Sequence, residues 1–250
     1  MKKTNSFRQL VDCSGSFLSI GSPVVTEIAA QYPFAWLLLD MEHGGFSEAT
    51  IIDHLRVLTH TEVMSIVRVP AVDPVLIGRV LDSGADGIMV PHVVSAQQVD
   101  ACKSAMYYLP EGRRGFSSSA RQYAYGTKAP DDLSSLDKPL LFAQIEDVEG
   151  VINASEIAAA DAVDVLFVGP ADLKLALKQQ ASNRNEITFE RSLQLVAGAA
   201  AAHQKKSGIL LRDRSQIEPM RQLGFNCIAL DSDIAILRSG YERIMKDLHS

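Results

Sequence analysis

Eight short apolar runs recur along the chain, and most of them are continuous rather than alternating with polar residues. They cover residues 17–20, 35–39, 64–69, 87–90, 140–144, 165–168, 208–211 and 227–230. A continuous apolar run of this length is typical of a strand buried on both faces, as in a parallel sheet. The runs therefore predict eight parallel strands.

Helical patterns lie between the runs. Asp73 and Pro74, an apolar stripe and then Gly84 predict a helix with a capped start and a glycine end. Further helices are predicted from a capping-box pattern at Ser95, over the alanine-rich segment 188–206, and over an amphipathic stripe at 237–248.

Strand followed by helix, eight times over, predicts parallel strands joined by right-handed crossovers. The 250 residues leave about 31 per unit, close to the minimum for a strand–helix–strand unit. We predict an α/β fold, a (β/α)8 TIM barrel forming one domain over residues 1–250, because no linker divides the chain. A doubly wound open sheet is the alternative, since the pattern does not show closure, but no glycine-rich nucleotide loop follows the first run.

Charge and cysteine content narrow the choice of partner and compartment. The net charge is −6, and no Lys/Arg stripe is interleaved with aromatic residues, which argues against nucleic acid and anionic membranes as partners. No run approaches the ~18–20 residues of a membrane helix, and the N-terminus lacks the apolar segment of a signal peptide. Cys13, Cys102 and Cys227 are far apart, so we expect packed free thiols and a cytoplasmic location.

Polar residues follow several runs, and in a barrel the carboxyl ends of the strands form one rim that carries the chemistry. Glu146 and Asp172 follow adjacent runs. Two unneutralised carboxylates would repel each other there, and a divalent cation that prefers oxygen ligands, Mg²⁺ or Mn²⁺, would remove the conflict. The alternative is that Asp172 caps a helix and Glu146 lies at the surface.

Other rim residues suit an anionic substrate. The turn at 169–172 leads from a strand into a helix, whose first N–H groups attract an anion, here a carboxylate. Arg68 can clamp such a carboxylate, or form a structural ion pair in the barrel mouth. His43 is either a general base or an ordinary loop histidine, and Asp40 or Asp82 could orient its ring.

A stretch of about thirty residues, between Leu109 and Lys138, has no clear strand or helix pattern. Its arginines and tyrosines favour a binding loop over a merely solvated one. No lysine follows a run on the predicted rim, which argues against a Schiff-base aldolase. Metal-assisted enolisation is therefore the better mechanism for any carbonyl chemistry.

Taken in order, the motifs resemble those of the HpcH/HpaI aldolases, metal-dependent class II pyruvate aldolases related to 2-keto-3-deoxy sugar acid aldolases. The resemblance spans about residues 17–237 and rests on the segments at 37–44, 67–70, 81–85, 109–115, 144–146 and 168–173. No single segment is specific, but the ordered set is. His92 departs from the pattern, because many members have an apolar or amide residue there.

The resemblance implies a role for each matching residue. Glu146 and Asp172 match the metal-binding carboxylates, with Mg²⁺, Mn²⁺ or Co²⁺ as the cofactor. Arg68 matches the arginine that holds the oxo acid and steadies the enolate. His43 matches the acid/base histidine, with Asp40 as its polar partner.

Further implied roles concern substrate binding and assembly. Gln144 is expected beside the keto acid, and the backbone amides of Ala171 and Asp172, after Gly169, in the carboxylate cradle. Asp82 matches an aspartate near the site that can come from a neighbouring subunit. The family assembles as a homohexamer, a trimer of dimers that exchange the last helix.

Together these implications predict a lyase that reversibly cleaves a 4-hydroxy-2-oxo acid to pyruvate and an aldehyde through a metal-stabilised enolate. We expect the 109–138 loop and its tyrosines to shape the aldehyde pocket. One alternative is a carbon–carbon bond-forming condensation, or a citrate/malate-type lyase, using another 2-oxo acid. The other is a barrel that binds an oxo acid without catalysis.

Overall fold

The computed structural model of the protein describes residues 3–180 and 187–249, and its centre is a closed barrel of eight parallel strands. Each strand pairs with its chain neighbours, and the last returns to pair with the first. The predicted (β/α)8 barrel is confirmed, and the open-sheet alternative is wrong. The strands are β1 (Cys13–Leu18), β2 (Trp36–Asp40), β3 (Met64–Arg68), β4 (Gly87–Val90), β5 (Leu140–Ile145), β6 (Val165–Val168), β7 (Lys206–Leu211) and β8 (Cys227–Ser232).

Helices surround the barrel and connect its strands. They are α1 (Lys3–Gln9), α2 (Pro23–Ala29), α3 (Ile51–Leu58), α4 (Pro74–Asp82), α5 (Ala96–Met106), α6 (Val148–Ile152), α7 (Ala154–Ala159), α8 (Pro170–Gln180), α9 (Phe189–Ala202), α10 (Ile217–Gln222) and α11 (Asp233–Leu248). Short 3-10 helices cover Arg121–Gly126, Leu133–Ser135 and Arg214–Gln216. Among the described residues, no helix is long and apolar enough to cross a bilayer.

The first strand begins earlier in the chain than the apolar run predicted. The apolar run predicted it over 17–20, but β1 begins at Cys13 and ends at Leu18. Glycine and serine interrupt its first half, which hides the apolar pattern. Gly15 is required because Trp36 lies directly opposite on β2, and a Cβ at this position would collide with the indole ring.

The helix predicted from Asp73 and Pro74 to Gly84 has the start and the end that these residues favour. Asp73 accepts hydrogen bonds from the N–H groups of Val75 and Leu76, and Gly84 adopts a φ of 96° just after α4. The helix predicted over 188–206 is too long, because α9 ends at Ala202 and Lys206 already begins β7.

An aromatic cluster fills the interior of the barrel. Neighbouring rings of Phe17, Trp36, Phe142 and Phe167 have centroids 5.5–6.4 Å apart. Phe7 of α1 packs on Phe142 at 5.9 Å. Because the barrel is solid, functional side chains that face its interior are confined to its ends.

Candidate active site

Asp40 and Arg68 form a buried ion pair at the carboxyl rim. They end β2 and β3, and the strand register places them side by side. Arg68 Nε donates to Asp40 Oδ1 at 2.9 Å, and Nη2 donates to Oδ2 at 2.7 Å. The two residues are 2% (Asp40) and 8% (Arg68) exposed. The structural ion pair that the sequence left as an alternative for Arg68 is therefore present.

The rest of the Arg68 guanidinium faces the barrel mouth. Its Nη1 lies 3.1 Å from Glu42 Oε2 and donates to Gln144 Oε1 at 3.4 Å. Burial acts to lower the pKa of Arg68, but Asp40, by hydrogen bond and charge, and the charges of Glu42 and Glu146 raise it overall. Arg68 is thus a fixed positive charge in the mouth, oriented by one carboxylate and reaching towards others.

Glu146 follows β5 and is almost fully buried, with 2% exposure. Its Oε1 accepts the backbone N–H of His92 at 3.0 Å, and its Oε2 accepts from the amide of Gln144, which points to the same face of the strand. Burial raises the pKa of Glu146; the His92 hydrogen bond opposes this, and the charge of Asp172 adds to it. The alternative of a surface Glu146 is therefore wrong.

Asp172 lies in the first turn of α8 and is exposed. The first helical hydrogen bond of α8 runs from Leu173 N–H to Gly169 O at 3.1 Å, so the N–H groups of Ala171 and Asp172 have no carbonyl one turn earlier. Gly169 leaves room for Glu146, because a Cβ at this position would collide with Glu146 Oε2 and force that carboxylate to shift. The turn therefore presses the start of a helix against the buried carboxylate.

The donor set fits a divalent cation. Glu146 and Asp172 are near enough for the charge of one to raise the pKa of the other, and a cation would relieve that repulsion. Within residues 3–180 and 187–249, no three His, Cys, Asp or Glu side chains form a closed cage. Two carboxylates with open positions suit Mg²⁺, which usually keeps several waters or binds substrate oxygens.

His43 lies in the loop after β2, and its side chain is 68% exposed. Asp40 Oδ1 accepts the backbone N–H of His43 at 3.2 Å, while both oxygens of this carboxylate bind Arg68. The carboxylate nearest to the ring is Glu42, with 3.9 Å between His43 Nε2 and Glu42 Oε2. The expectation that Asp40 orients the His43 ring is therefore wrong in this structure, because Asp40 holds the loop backbone and Arg68 instead.

Asp82 lies at the opposite end of the barrel from these residues. It ends α4, which runs back from the carboxyl rim to the start of β4. Arg114 donates to Asp82 Oδ1 at 2.5 Å, and Gln122 donates to it at 3.1 Å. Asp82 cannot orient His43 of its own chain, and that part of the prediction is wrong.

The 109–138 segment lies at this amino end too, because it connects the end of α5 to the start of β5. Arg121 donates to the Ser83 and Leu55 carbonyls at 2.6 and 3.3 Å and to the Thr59 hydroxyl at 2.5 Å. These groups lie at the carboxyl-terminal ends of α3 and α4, where a cation is favoured. The expectation that this loop shapes the aldehyde pocket is wrong within one chain, since its arginines contact helix ends and Asp82 at the amino end of the barrel.

Sequence reasoning gave no role to three residues that contact the site. Glu42 lies between Arg68 and His43 and belongs to a motif already noted. Asp147 Oδ2 lies 2.9 Å from His92 Nδ1, so these two form a second pair on the rim. Phe17 lies under the Arg68 guanidinium at 5.6 Å. Position directly after a strand was the signal that could have identified Asp147.

Two sequence comparisons found similar proteins. A family model described as HpcH/HpaI aldolase/citrate lyase matches residues 14–239. The 5-keto-4-deoxy-D-glucarate aldolase of Enterobacter sp. (strain 638) is 35% identical over 231 residues, which cover 92% of this chain and 90% of the relative.

Solved structures share the fold. An HpcH/HpaI aldolase/citrate lyase family protein from Burkholderia cenocepacia J2315 superposes with a TM-score of 0.89 at 26% identity, over 98% of each chain. The citrate synthase SbnG superposes with a TM-score of 0.79 at 25% identity, over 99% of this chain and 96% of the other.

Proposed function

This chain belongs to the HpcH/HpaI aldolase/citrate lyase family and is a carbon–carbon lyase, and on that premise we propose that it cleaves 4-hydroxy-2-oxo acids reversibly to pyruvate and an aldehyde. The observation that carries the proposal is the cluster on the rim: a buried Arg68, held by Asp40, beside the buried carboxylate Glu146. The name of the Enterobacter relative, 5-keto-4-deoxy-D-glucarate aldolase, favours a substrate of the 2-keto-3-deoxy sugar acid class.

Arg68 is the residue proposed to hold the oxo acid. Cleavage leaves negative charge on the 2-oxo oxygen of the pyruvate fragment, and a buried guanidinium stabilises such charge strongly where water is excluded. Nε and Nη2 are engaged with Asp40, so Nη1, which lies 3.1 Å from Glu42 Oε2 and donates to Gln144 Oε1, is the guanidinium nitrogen proposed to face the substrate. Gln144 therefore lies beside the proposed keto acid site.

Family membership implies a divalent metal ion, and we propose Glu146 and Asp172 as its protein ligands. Mg²⁺ or Mn²⁺ suits these oxygen donors, with Co²⁺ as a further choice. Held there, the ion would supply a Lewis acid that stabilises negative charge on the oxygens of the substrate. The amides of Ala171 and Asp172, which follow Gly169 at the start of α8, provide a positive helix end for the substrate carboxylate.

His43 is the proposed acid/base for the 4-hydroxyl proton in cleavage. Its exposed ring can reach a bound substrate directly or through a water, and Glu42 is the carboxylate nearest to it. Asp82 and the 109–138 loop are proposed to contribute only to the site of a neighbouring subunit, because they lie at the other end of their own barrel.

A homo-oligomer, with a hexamer built as a trimer of dimers, is the proposed assembly. Supporting it, α11 exposes an unusual number of large apolar side chains: Ile234, Ile236, Leu237, Tyr241, Ile244, Met245 and Leu248. Small-molecule oxo acids and aldehydes are the proposed ligands. A reducing cytoplasm suits the three buried cysteines, all of which are free thiols.

A condensation that forms a carbon–carbon bond with another 2-oxo acid is the second candidate. The likeness to the citrate synthase SbnG favours it. Retention of both the arginine and the paired carboxylates argues against a barrel that only binds an oxo acid.

Exchange of the pyruvate methyl protons with D₂O, followed by NMR, tests the proposal. We expect exchange with Mg²⁺ or Mn²⁺, none with EDTA, and a loss of at least about 100-fold in Arg68→Ala. Arg191→Ala, an exposed position on α9, is the control and should exchange as the unmodified protein does. Absence of exchange with every divalent metal would refute the pyruvate mechanism.

A further inference from the structure

His92 has an unusual backbone conformation directly beside the proposed metal site. It follows β4 with a φ of 52°, in the left-handed region that residues other than glycine rarely adopt. This conformation directs its N–H onto Glu146 Oε1 at 3.0 Å. Strain of this kind persists only where the surroundings enforce it, and it clusters at functional sites.

Asp147 breaks a second local rule at the same place. It occupies the N-cap position of α6, where an aspartate normally accepts hydrogen bonds from the first turn, but its side chain makes no capping bond. Asp73 at the start of α4 does cap, with two such bonds. The Asp147 carboxylate instead accepts from Nδ1 of His92 at 2.9 Å.

The His92 ring is oriented and also accessible. Its side chain is 58% exposed, and its Nδ1 lies 3.6 Å from Glu146 Oε1. The charge of Glu42, which follows β2, also acts on the ring, so His92 faces carboxylates from different parts of the mouth. Because Nδ1 is engaged with Asp147, Nε2 is the ring atom available to a reactant.

We propose that His92 selects the aldehyde: its Nε2 hydrogen-bonds a hydroxyl group next to the aldehyde carbonyl, and Asp147 positions the ring. This inference rests on the aldolase function proposed above. A hydroxyl group both donates and accepts, so the contact forms whether Nε2 carries a proton or not. A site that hydrogen-bonds a substrate hydroxyl discriminates strongly against an analogue that lacks it.

The test compares two aldehydes of nearly equal size in aldol addition to pyruvate with Mg²⁺ present. Glycolaldehyde carries the hydroxyl, and propanal has a methyl group in its place. The readout is the ratio of their kcat/KM values in each variant. Intrinsic reactivity differs between the aldehydes but is the same for every variant, so a change in the ratio isolates the protein contact.

His92→Asn tolerates the left-handed backbone, and its amide reaches about as far as Nδ1 but not as far as Nε2. We expect it to lower the glycolaldehyde-to-propanal ratio at least about tenfold. His92→Gln, whose amide reaches the Nε2 position, should recover much of the ratio. Asp147→Asn should lower it mainly through the KM for glycolaldehyde. His60→Asn, an exposed histidine after α3 at the other end of the barrel, is the control and should leave the ratio unchanged.

An unchanged ratio in His92→Asn would overturn the role of His92, and this includes a loss of kcat/KM that is equal for both aldehydes. Pyruvate proton exchange in the unmodified protein separates this outcome from failure of the proposed function. Exchange with an unaltered ratio refutes only the inference about His92, whereas absence of exchange refutes the aldolase proposal on which it rests.

Discussion

Replacing Asp40 with asparagine tests what this buried carboxylate does. The amide keeps the size of the side chain but has no charge and one acceptor oxygen instead of two. Arg68 is 8% exposed, and among the residues that the structure describes its remaining ion-pair partner would then be Glu42, at 3.1 Å. Breaking a buried ion pair by removing one partner costs about 3–5 kcal/mol, and the remaining Glu42 contact favours the lower limit. We therefore expect Asp40→Asn to lower the free energy of unfolding by about 3 kcal/mol.

A double-mutant cycle with Arg68→Met separates the pair from its surroundings. Methionine removes the charge and keeps apolar volume above Phe17, whose ring lies 5.6 Å from the guanidinium. In the double variant neither an unpaired arginine nor an unpaired aspartate remains. Its free energy of unfolding should therefore exceed the value expected from adding the two single losses by at least about 1.5 kcal/mol.

Urea unfolding followed by fluorescence measures this coupling. Trp36 is the only tryptophan in the sequence and is fully buried, so its emission reports on the barrel interior. All variants are compared at one protein concentration, because self-association shifts apparent stability. Additive losses would refute the pairing of Asp40 with Arg68 as the main role of the carboxylate. If Asp40 instead acted on the His43 ring, Asp40→Asn would shift the pH profile of pyruvate exchange with little coupling to Arg68.

Two further predictions follow from close packing and burial. Gly169→Ala should lower pyruvate exchange about 100-fold, because its Cβ would displace the Glu146 carboxylate, and such displacements have effects of this size. Gly78→Ala on α4 meets nothing within 4 Å, so it should leave exchange unchanged and stabilise the protein by about 0.5–1 kcal/mol; equal effects of the two changes would contradict the packing argument. Burial lowers the pKa of His54 from its ordinary 6.5. As the pH falls below 6.5, the imidazole therefore takes up a proton in the unfolded chain before it does so in the folded protein. Protonation of the unfolded chain lowers the free energy of unfolding, so the stability that His54 contributes above pH 6.5 is lost below it. As the pH is lowered below 6.5, the free energy of unfolding should therefore fall relative to that of His54→Gln by at most about 1.4 kcal/mol per pH unit. Parallel curves of unfolding free energy against pH for the two proteins would contradict this prediction.

Most of the barrel was predictable from the sequence because both faces of each strand are buried. Apart from the first, each predicted strand begins and ends within two residues of the corresponding observed strand. The first strand was not predictable, because Gly15 makes room for the indole of Trp36, a neighbour that only the strand pairing reveals. The end of α9 was missed for a similar reason, since Lys206 looks like a helix-end lysine but begins a buried strand.

The rim residues were predictable as a set, but their pairings were not. A residue at the carboxyl end of a strand or directly after it lies on the rim, which is how Arg68 and Glu146 could be identified. Sequence distance, however, suggested that Asp40 serves His43, three positions away. Register decides otherwise, because Asp40 lies beside Arg68 on the next strand, 28 residues on in the chain.

The 109–138 segment shows why an unusual loop is not by itself evidence for a place at the site. Its length and its arginines favoured binding, but its connectivity already placed it at the amino end, because it follows a helix and precedes a strand. At that end, Arg121 binds the carboxyl-terminal end of α4 and Arg114 binds Asp82. If this segment and Asp82 take part in catalysis, they do so in another subunit, and the rim residues must supply the chemistry of their own barrel. Residues that break a local rule on that rim, as His92 and Asp147 do, are therefore stronger candidates for substrate choice than the longest loop in the chain.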